Sequence, residues 1–247
     1  MVLRLMGDWR TVYDSEAIVK RFDERQKIVG IAADERDEAV LTMIPFKAED
    51  TFRLLDLGAG MGRFSHKIAG QFPRAQITCV DGSEKMLQAA KDRITENVDQ
   101  FSFVCADFGN ASWIESVSGA FDVIVSTGAI HHINDARKWM LFAEIHGLLK
   151  DGGFFINGEL VRSKYDVLNA KYYDDIWASY IQEKTKEVLG VQRLIKDVRE
   201  RMYEAMKREG DTPATVEDQL EWLREAGFKV AECVWRHYLI AVVVGIR

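Results

Sequence analysis

The sequence predicts an α/β fold: a seven-stranded, mostly parallel sheet with helices on both faces and an antiparallel last strand. Two observations support this fold class. From residue 52 onward, apolar runs of strand length alternate with helical stretches, which specifies a parallel sheet wrapped by right-handed crossovers. Towards the end of the sequence, two apolar runs are joined by a short turn near Arg236 and His237, and so short a connection requires an antiparallel pair.

Each predicted element has a local signal. The strands are expected at 52–57, 76–80, 101–105, 121–126, 154–160, 228–235 and 238–246, the fifth of them after a turn at Gly152 and Gly153. Helices are expected at 61–72, from Ser83 as N-cap, and at 136–149. The last helix, 215–226, should begin with a capping box of Thr215 and Asp218, and Gly227 suits the position just after its end.

The chain divides into a core and two helical additions. Residues 1–50 are expected to form an N-terminal helical cap, residues 51–161 and 212–247 the core, and residues 162–211 a helical insertion that serves as a substrate lid. The insertion holds an aromatic cluster that either lines an acceptor pocket or anchors the lid. Its members are Tyr165, Tyr172, Tyr173, Trp177 and Tyr180.

Composition narrows the class of protein. Of the 247 residues, 47% are hydrophobic and 29% are charged, which is an ordinary globular balance, and no apolar run approaches the length needed to cross a bilayer. The net charge of −6 disfavours a nucleic-acid partner. The three cysteines fall in predicted strands without metal-ligand spacing, so we expect buried, reduced thiols in a cytoplasmic protein. A homodimer is left open.

A glycine-rich segment carries the strongest functional signal. After an apolar strand, Gly58, Gly60 and Gly62 allow a cofactor to lie directly against the backbone, and a second acid, Asp81, follows another apolar run where it can bind a ribose. A dinucleotide site would place a glycine where this chain has Arg63. That glycine serves a pyrophosphate, so its replacement favours a cofactor without phosphates.

These motifs resemble those of the class I S-adenosylmethionine-dependent methyltransferases. The resemblance covers roughly residues 50–161 motif by motif. The last helix and the last two strands resemble the family only in their order along the chain. It rests on Asp56-Leu57-Gly58-Ala59-Gly60-Met61-Gly62, Val80-Asp81-Gly82-Ser83 with Met86 and Leu87, Cys105-Ala106-Asp107-Phe108, Phe121 to Ser126, and Leu148 to Gly153. Each motif is weak evidence by itself, but together, in this order and spacing, they are strong evidence.

The resemblance implies a role for each motif and a cofactor, S-adenosyl-L-methionine, whose product is S-adenosyl-L-homocysteine. Asp81 would bind both ribose hydroxyls, Met86 would lie near the adenine, and Asp107, followed by Phe108, would accept from the adenine amine. Asp56 would orient the glycine turn and favour a cationic ligand. The alternative for Asp56 and for Asp107 is an ordinary strand-end or turn carboxylate. The segment from Thr127 to Ile133 would lie beside the reactive methyl group. No metal is expected.

His131 and His132 are the candidate catalytic residues, because a neutral imidazole can take a proton from the acceptor near pH 7. The alternative is that one caps a turn and the other packs against the sheet. In the family, an arginine after a Tyr-Asp pair touches the cofactor carboxylate. Here Phe22 replaces the tyrosine and Arg25 comes one position early, so Trp9, Tyr13 and Arg25 are candidate lid residues with packing roles as the alternative.

The leading functional hypothesis is methyl transfer to a small-molecule acceptor. The segment after the fourth strand departs from the Asn/Asp-Pro-Pro-Tyr/Phe motif of enzymes that methylate amino groups of bases or glutamine. An alternative is an enzyme that uses carboxy-S-adenosylmethionine in tRNA modification, which needs a further cation at the methyl site. A nicotinamide-dependent oxidoreductase is disfavoured by Arg63 and the antiparallel hairpin. A non-catalytic cofactor-binding scaffold is a third class.

Overall fold

The computed structural model describes residues 12–247 and contains the predicted sheet. Its seven strands have the order β3-β2-β1-β4-β5-β7-β6, and β7 runs antiparallel to both of its neighbours. The strands are β1 Arg53–Leu57, β2 Gln76–Asp81, β3 Phe101–Cys105, β4 Phe121–Thr127, β5 Leu149–Leu160, β6 Val230–His237 and β7 Ile240–Ile246. The predicted fold class is confirmed.

The helices follow the predicted order. They are α1 Glu16–Val29, α2 Ala33–Thr42, α3 Arg63–Gln71, α4 Glu84–Arg93, α5 Asp135–Leu148, α6 Asp166–Asn169, a π-helical stretch Ala170–Trp177, α7 Ala178–Leu189, α8 Ile195–Glu209 and α9 Val216–Glu225. Two predicted caps are confirmed: the Ser83 hydroxyl accepts from the amide of Met86, and Thr215 and Asp218 form the capping box of α9.

Two local predictions are wrong, and strand pairing explains both. β5 begins at Leu149 rather than at 154, because Leu149 already pairs with Phe121 across an irregularity in the ladder. The final turn lies after His237, because Arg236 and His237 pair with Ala241 and Ile240 as part of β6.

The expectation of three buried thiols is also wrong. All three cysteines are free; Cys79 is buried in the second strand, Cys233 is half-buried, and Cys105 is exposed. Cys105 ends β3, which is an edge strand of the sheet, so one side of it has no neighbouring strand to cover it.

The sheet is buried on both faces, which fixes the position of its strand ends. Leu54 and Leu55 are adjacent in β1, point to opposite faces, and are both 0% exposed. Helices therefore cover both faces, and the loops after β1, β2 and β4 meet at one edge of the sheet. In doubly wound sheets this edge is where ligands bind.

The N-terminal helices pack against the insertion through its aromatic side chains. The indole nitrogen of Trp177 donates to the carbonyl of Val29 at 2.8 Å, and the hydroxyl of Tyr173 donates to the carbonyl of Val161 at 3.2 Å. Trp177 therefore anchors the insertion to the end of α1, and Tyr173 anchors it to the residue after β5, whereas Tyr165 is 55% exposed. Trp9 lies outside the described residues, and within 12–247 we find no helix with the length and apolarity needed to span a membrane.

Candidate functional site

A cavity lies at the carboxyl ends of β1, β2 and β4, beneath α1. It encloses about 1110 Å³, its open mouth included. Gly58 and Gly60 follow β1, Asp81 ends β2, and Gly128 follows β4, and all four line it. Strand ends therefore supply the floor of the cavity, and α1 supplies part of its roof through Arg25 and other side chains.

The glycine turn and the predicted ribose acid are joined in one structure. The amide of Gly60 donates to Oδ2 of Asp81 at 2.8 Å, and the amide of Ser83 donates to Oδ1 at 2.9 Å. Burial raises the pKa of Asp81, while these amide hydrogen bonds oppose the shift. A Cβ on Gly58 would lie 2.3 Å from the Cβ of Ala129, so the close approach of the two loops requires glycine.

Several predicted residues support the cavity from behind. Gly62 has a φ of 69° and lies against α4, where an added Cβ would be 3.0 Å from that of Ala90. Ala59 is half-buried and packs against the core under the turn. Asp56 is buried below it and accepts from the Ser65 hydroxyl at 2.5 Å. Of the described residues that line the cavity, none is Asp56, Ala59 or Gly62.

Burial, with Asp81 and Asp37 nearby, raises the pKa of Asp56 to about 7, although the Ser65 hydrogen bond lowers it. Oδ1 of Asp56 has no hydrogen-bond partner within the described part of the chain. Its carboxyl is therefore a buried group that is only partly ionised at neutral pH, which weakens its predicted attraction for a cationic ligand.

Only some of the residues predicted to surround the adenine line the cavity. Gly82, Met86 and Phe108 line the cavity, whereas Asp107 and Thr127 are not among the described lining residues. Asp107 accepts from the amide of Gly109 at 2.8 Å and from the side chain of Asn110 at 2.6 Å, so it organises its own turn. Thr127 ends β4, where it pairs with Gly158. Their ligand roles stay predictions.

Two arginines reach the cavity from the N-terminal helices. Nη2 of Arg25 lies 2.7 and 2.6 Å from the two carboxylate oxygens of Glu209, and the hydroxyl of Tyr13 donates to the same carboxylate at 2.9 Å. Arg36 donates through Nε and Nη2 to Asp37, and its Nη1 lies beside Gly128. Arg25 is thus neutralised by the insertion, while one edge of Arg36 faces the cavity.

Both predicted histidines line the cavity on the short turn after β4, and two acids accompany them. Nδ1 of His131 lies 2.6 Å from Oε1 of Glu159, and Nδ1 of His132 lies 2.9 Å from Oδ1 of Asp211. Glu159 is in β5 and Asp211 follows α8. The two imidazole rings are 4.0 Å apart, and all these side chains are largely buried.

The pKa values of the two imidazoles shift in opposite directions. Burial alone would lower the pKa of His131, but Glu159 and Asp211 outweigh it and the pKa is raised. For His132, burial and the neighbouring His131 lower the pKa despite Asp211. Titratable groups with perturbed pKa values in one cleft are characteristic of functional sites.

Four charged residues of this site escaped the sequence prediction: Arg36, Glu209 and Asp211, which line the cavity, and Glu159, which lies against His131. Glu159 lies inside an apolar strand run, where a single buried acid is the available signal. Arg36 and Asp211 lie in charged helical segments, where nothing local distinguishes them from surface residues.

Comparison with known proteins identifies the domain at the centre of this arrangement. Residues 54–153 match a family described as "Methyltransferase domain". The sheet has the fold of class I S-adenosylmethionine-dependent methyltransferases, which agrees with that match. The match includes the glycine turn, Asp81 and the turn with His131 and His132.

Two curated relatives resemble the methyltransferase domain and its surroundings. A malonyl-[acyl-carrier protein] O-methyltransferase of Geobacter sulfurreducens is 28% identical over 135 residues, which are 55% of this chain and 48% of the relative. A carboxy-S-adenosyl-L-methionine synthase of Nautilia profundicola is 26% identical over 188 residues, 76% of this chain and 74% of that protein. The first match thus spans about half the length of the relative.

A solved structure shows the same fold. Human N-acetylserotonin methyltransferase in complex with SAM superposes with a TM-score of 0.62 at 15% identity, over 97% of this chain and 58% of that one. At this identity the likeness concerns the fold of the methyltransferase domain alone.

Proposed function

We propose that this chain transfers the methyl group of S-adenosylmethionine to a small-molecule acceptor. One observation carries the proposal: a single cavity is lined by Asp81, beside the glycine turn, and by His131 and His132. The first group suits a nucleoside and the second suits an acceptor with an ionisable atom. A site that joins them can hold both reactants of a methyl transfer.

In this proposal Asp81 binds the two ribose hydroxyls. Its oxygens already accept from the amides of Gly60 and Ser83, which fixes the carboxylate without using all of its lone pairs. Charge-assisted hydrogen bonds of this kind are roughly twice as strong as neutral ones. Met86 and Phe108 then provide the apolar walls for the adenine.

Arg36 is proposed to bind the carboxylate of the cofactor's amino-acid tail. Its Nε and Nη2 are held by Asp37, which also pairs with Arg63 at 2.9 Å, so the guanidinium is fixed in place. Nη1 remains directed to the cavity beside Gly128. The planar guanidinium of an arginine matches the geometry of a carboxylate better than the ammonium group of a lysine does.

Methyl transfer from a sulfonium needs mainly alignment, because the leaving thioether is neutral. Holding the two reactants in line within one enclosed cavity supplies much of the rate enhancement. In this proposal the acceptor atom lies against His131 and His132. Whether one of them takes the acceptor's proton stays a prediction, and an acceptor that is already a carboxylate would not need it.

The helical additions are proposed to close over the reactants. Arg25 of α1 and Glu209 of α8 pair across the cavity wall, and Trp177 ties the insertion to the end of α1. The N-terminal helices and the insertion are therefore expected to move as one unit. This supports the division into a cap at 1–50, a core, and a lid at 162–211.

A second candidate is the use or synthesis of carboxy-S-adenosylmethionine. The relative from Nautilia profundicola bears that synthase name, and Arg25 provides a cation in the cavity. However, Arg25 already forms an ion pair with the carboxylate of Glu209, so it is not free to bind the carboxylate of such a cofactor. This favours simple methyl transfer. Mass spectrometry of nucleosides that copurify with the protein separates the two candidates.

The test is a metabolite screen scored by release of S-adenosylhomocysteine, with a malonyl thioester among the acceptors. We expect at least one acceptor to give turnover that the Asp81→Ala variant loses. The exposed Asp99→Ala variant is the matched control and should keep full activity. Release at equal rates by the native protein and Asp81→Ala would reject the proposed site.

A further inference from the structure

We propose that His131, His132 and Asp211 form a binding site for a divalent transition-metal ion such as Zn²⁺. Each offers one ligand atom, and the three atoms lie within 4.8 Å of one another. Two imidazole nitrogens and one carboxylate oxygen are a donor set that such ions prefer. All three side chains line the cavity, so further coordination positions would open towards its contents.

The ligand atoms lie close together, but no hydrogen bond of acceptable geometry joins them within the described residues. Oδ1 of Asp211 lies 2.9 Å from Nδ1 of His132 and 3.8 Å from Nε2 of His131. Yet Asp211 Oδ1 and His132 Nδ1 are both buried, and neither makes a hydrogen bond of acceptable geometry within residues 12–247. Buried polar atoms in this condition are rare unless a water or an ion serves them.

Glu159 sets the orientation of His131. Oε1 of Glu159 lies 2.6 Å from Nδ1 of His131 and accepts from the amide of Leu160, while Oε2 accepts from the amide of His131. Because a carboxylate accepts, Nδ1 carries a hydrogen, which leaves Nε2, 3.8 Å from Oδ1 of Asp211, as the nitrogen available to a metal ion. A carboxylate behind a histidine is the arrangement that holds metal-ligating histidines in other proteins.

The backbone holds the third ligand against the histidine turn. The amide of Thr212 donates to the carbonyl of His131 at 2.7 Å, and its hydroxyl donates to the carbonyl of Ile133 at 2.6 Å. The side chain of Asp211 is only 7% exposed. Ligand atoms around a tetrahedral ion at ~2.0–2.2 Å stand about 3.3–3.6 Å apart, so small side-chain rotations suffice.

When bound, the ion would act as a Lewis acid towards an acceptor oxygen. That role depends on the proposed methyl transfer; binding of the ion does not. His131 and His132 would then position the ion, and an acceptor hydroxyl could ionise without an imidazole as base.

The test titrates chelator-treated protein with Co²⁺ and follows visible absorbance. We expect a single ion per chain, with loss of at least about tenfold in affinity in Asp211→Asn, in His132→Gln and in Glu159→Gln. His66, which is exposed on α3, provides the control variant His66→Gln, which should bind Co²⁺ like the native protein. Circular dichroism verifies that each variant is folded.

Two results would overturn the metal site: no Co²⁺ uptake by the folded native protein, or equal uptake by Asp211→Asn. Calorimetry with S-adenosylmethionine on the same samples separates this inference from the proposed function. Cofactor binding without Co²⁺ uptake rejects the metal site alone. Co²⁺ uptake without cofactor binding supports the metal site and rejects methyl transfer.

Discussion

The backbone amide of Gly60 donates to the carboxylate of Asp81 at 2.8 Å. Two segments 21 positions apart in sequence are therefore one structure at the edge of the sheet. In the proposed function the glycine turn is the surface for the cofactor, and the hydrogen bond fixes the acid that would bind its ribose. Disrupting either partner should affect the same ligand.

Removal of Asp81 is expected to weaken cofactor binding. Asp81→Ala should reduce the affinity for S-adenosylmethionine more than tenfold, because two charge-assisted hydrogen bonds are lost, each worth about 1.5–3 kcal/mol. Calorimetric titration measures the change, with Asp99→Ala as the control. An unchanged affinity would mean that the ribose is held elsewhere.

Arg36 can be tested with a matched pair of ligands. Arg36→Met should lower the affinity for S-adenosylmethionine about tenfold or more, as expected for the loss of one charge-assisted hydrogen bond. Decarboxylated S-adenosylmethionine lacks the group that Arg36 is proposed to bind, so its affinity should change little. Equal losses for both ligands would assign Arg36 a structural role only.

Gly58 has a close neighbour that leaves no room for a side chain. Gly58→Ala should lower the free energy of unfolding by about 1–3 kcal/mol, because its φ is 80° and the new Cβ would lie 2.3 Å from that of Ala129. Gly70→Ala in α3 is the control, since a Cβ there meets no heavy atom within 4 Å. That change should stabilise the protein slightly. Urea unfolding compares the two, and equal stabilities would contradict the packing of the loops.

The stability of the protein should depend on the protonation of Asp56. Its pKa is raised from 3.8 to about 7 on folding, so between those values the folded state holds a proton that the unfolded state has released. Stability contributed by this group therefore falls as the pH rises from about 4 to about 7, by at most about 1.4 kcal/mol per pH unit.

Asp56→Asn removes this dependence. The free energy of unfolding of the variant, relative to the native protein, should increase as the pH rises through that window and level off above it. The charged groups that act on Asp56, which include Asp81, Asp37 and Arg36, stay in place in the variant. Parallel stability curves for the two proteins would show that Asp56 does not titrate there.

The sequence predicted what is encoded locally. Alternating apolar runs predicted a mostly parallel sheet with helices on both faces. The glycines and Asp81 lie in short motifs that can be recognised from their spacing in the sequence. The capping residues Ser83 and Thr215 were predicted for the same reason, since a cap depends on residues only three positions away.

The features that the sequence did not reveal depend on contacts between residues far apart in the sequence. Glu159 meets His131 across 28 positions, and Asp211 meets His132 from the end of an insertion, so neither contact has a local pattern. The histidines could be named as candidates, but their partners could not. The final turn was misplaced because the register of β6 with β7, rather than local turn residues, decides where the strands end.

The most direct test of the central claim is a calorimetric titration of the native protein with S-adenosylmethionine, S-adenosylhomocysteine and NAD. The account predicts micromolar binding of the first two and none of NAD, because the glycine turn lacks the third glycine that a pyrophosphate requires. Tight binding of NAD, or no binding of S-adenosylmethionine by the folded protein, would contradict it.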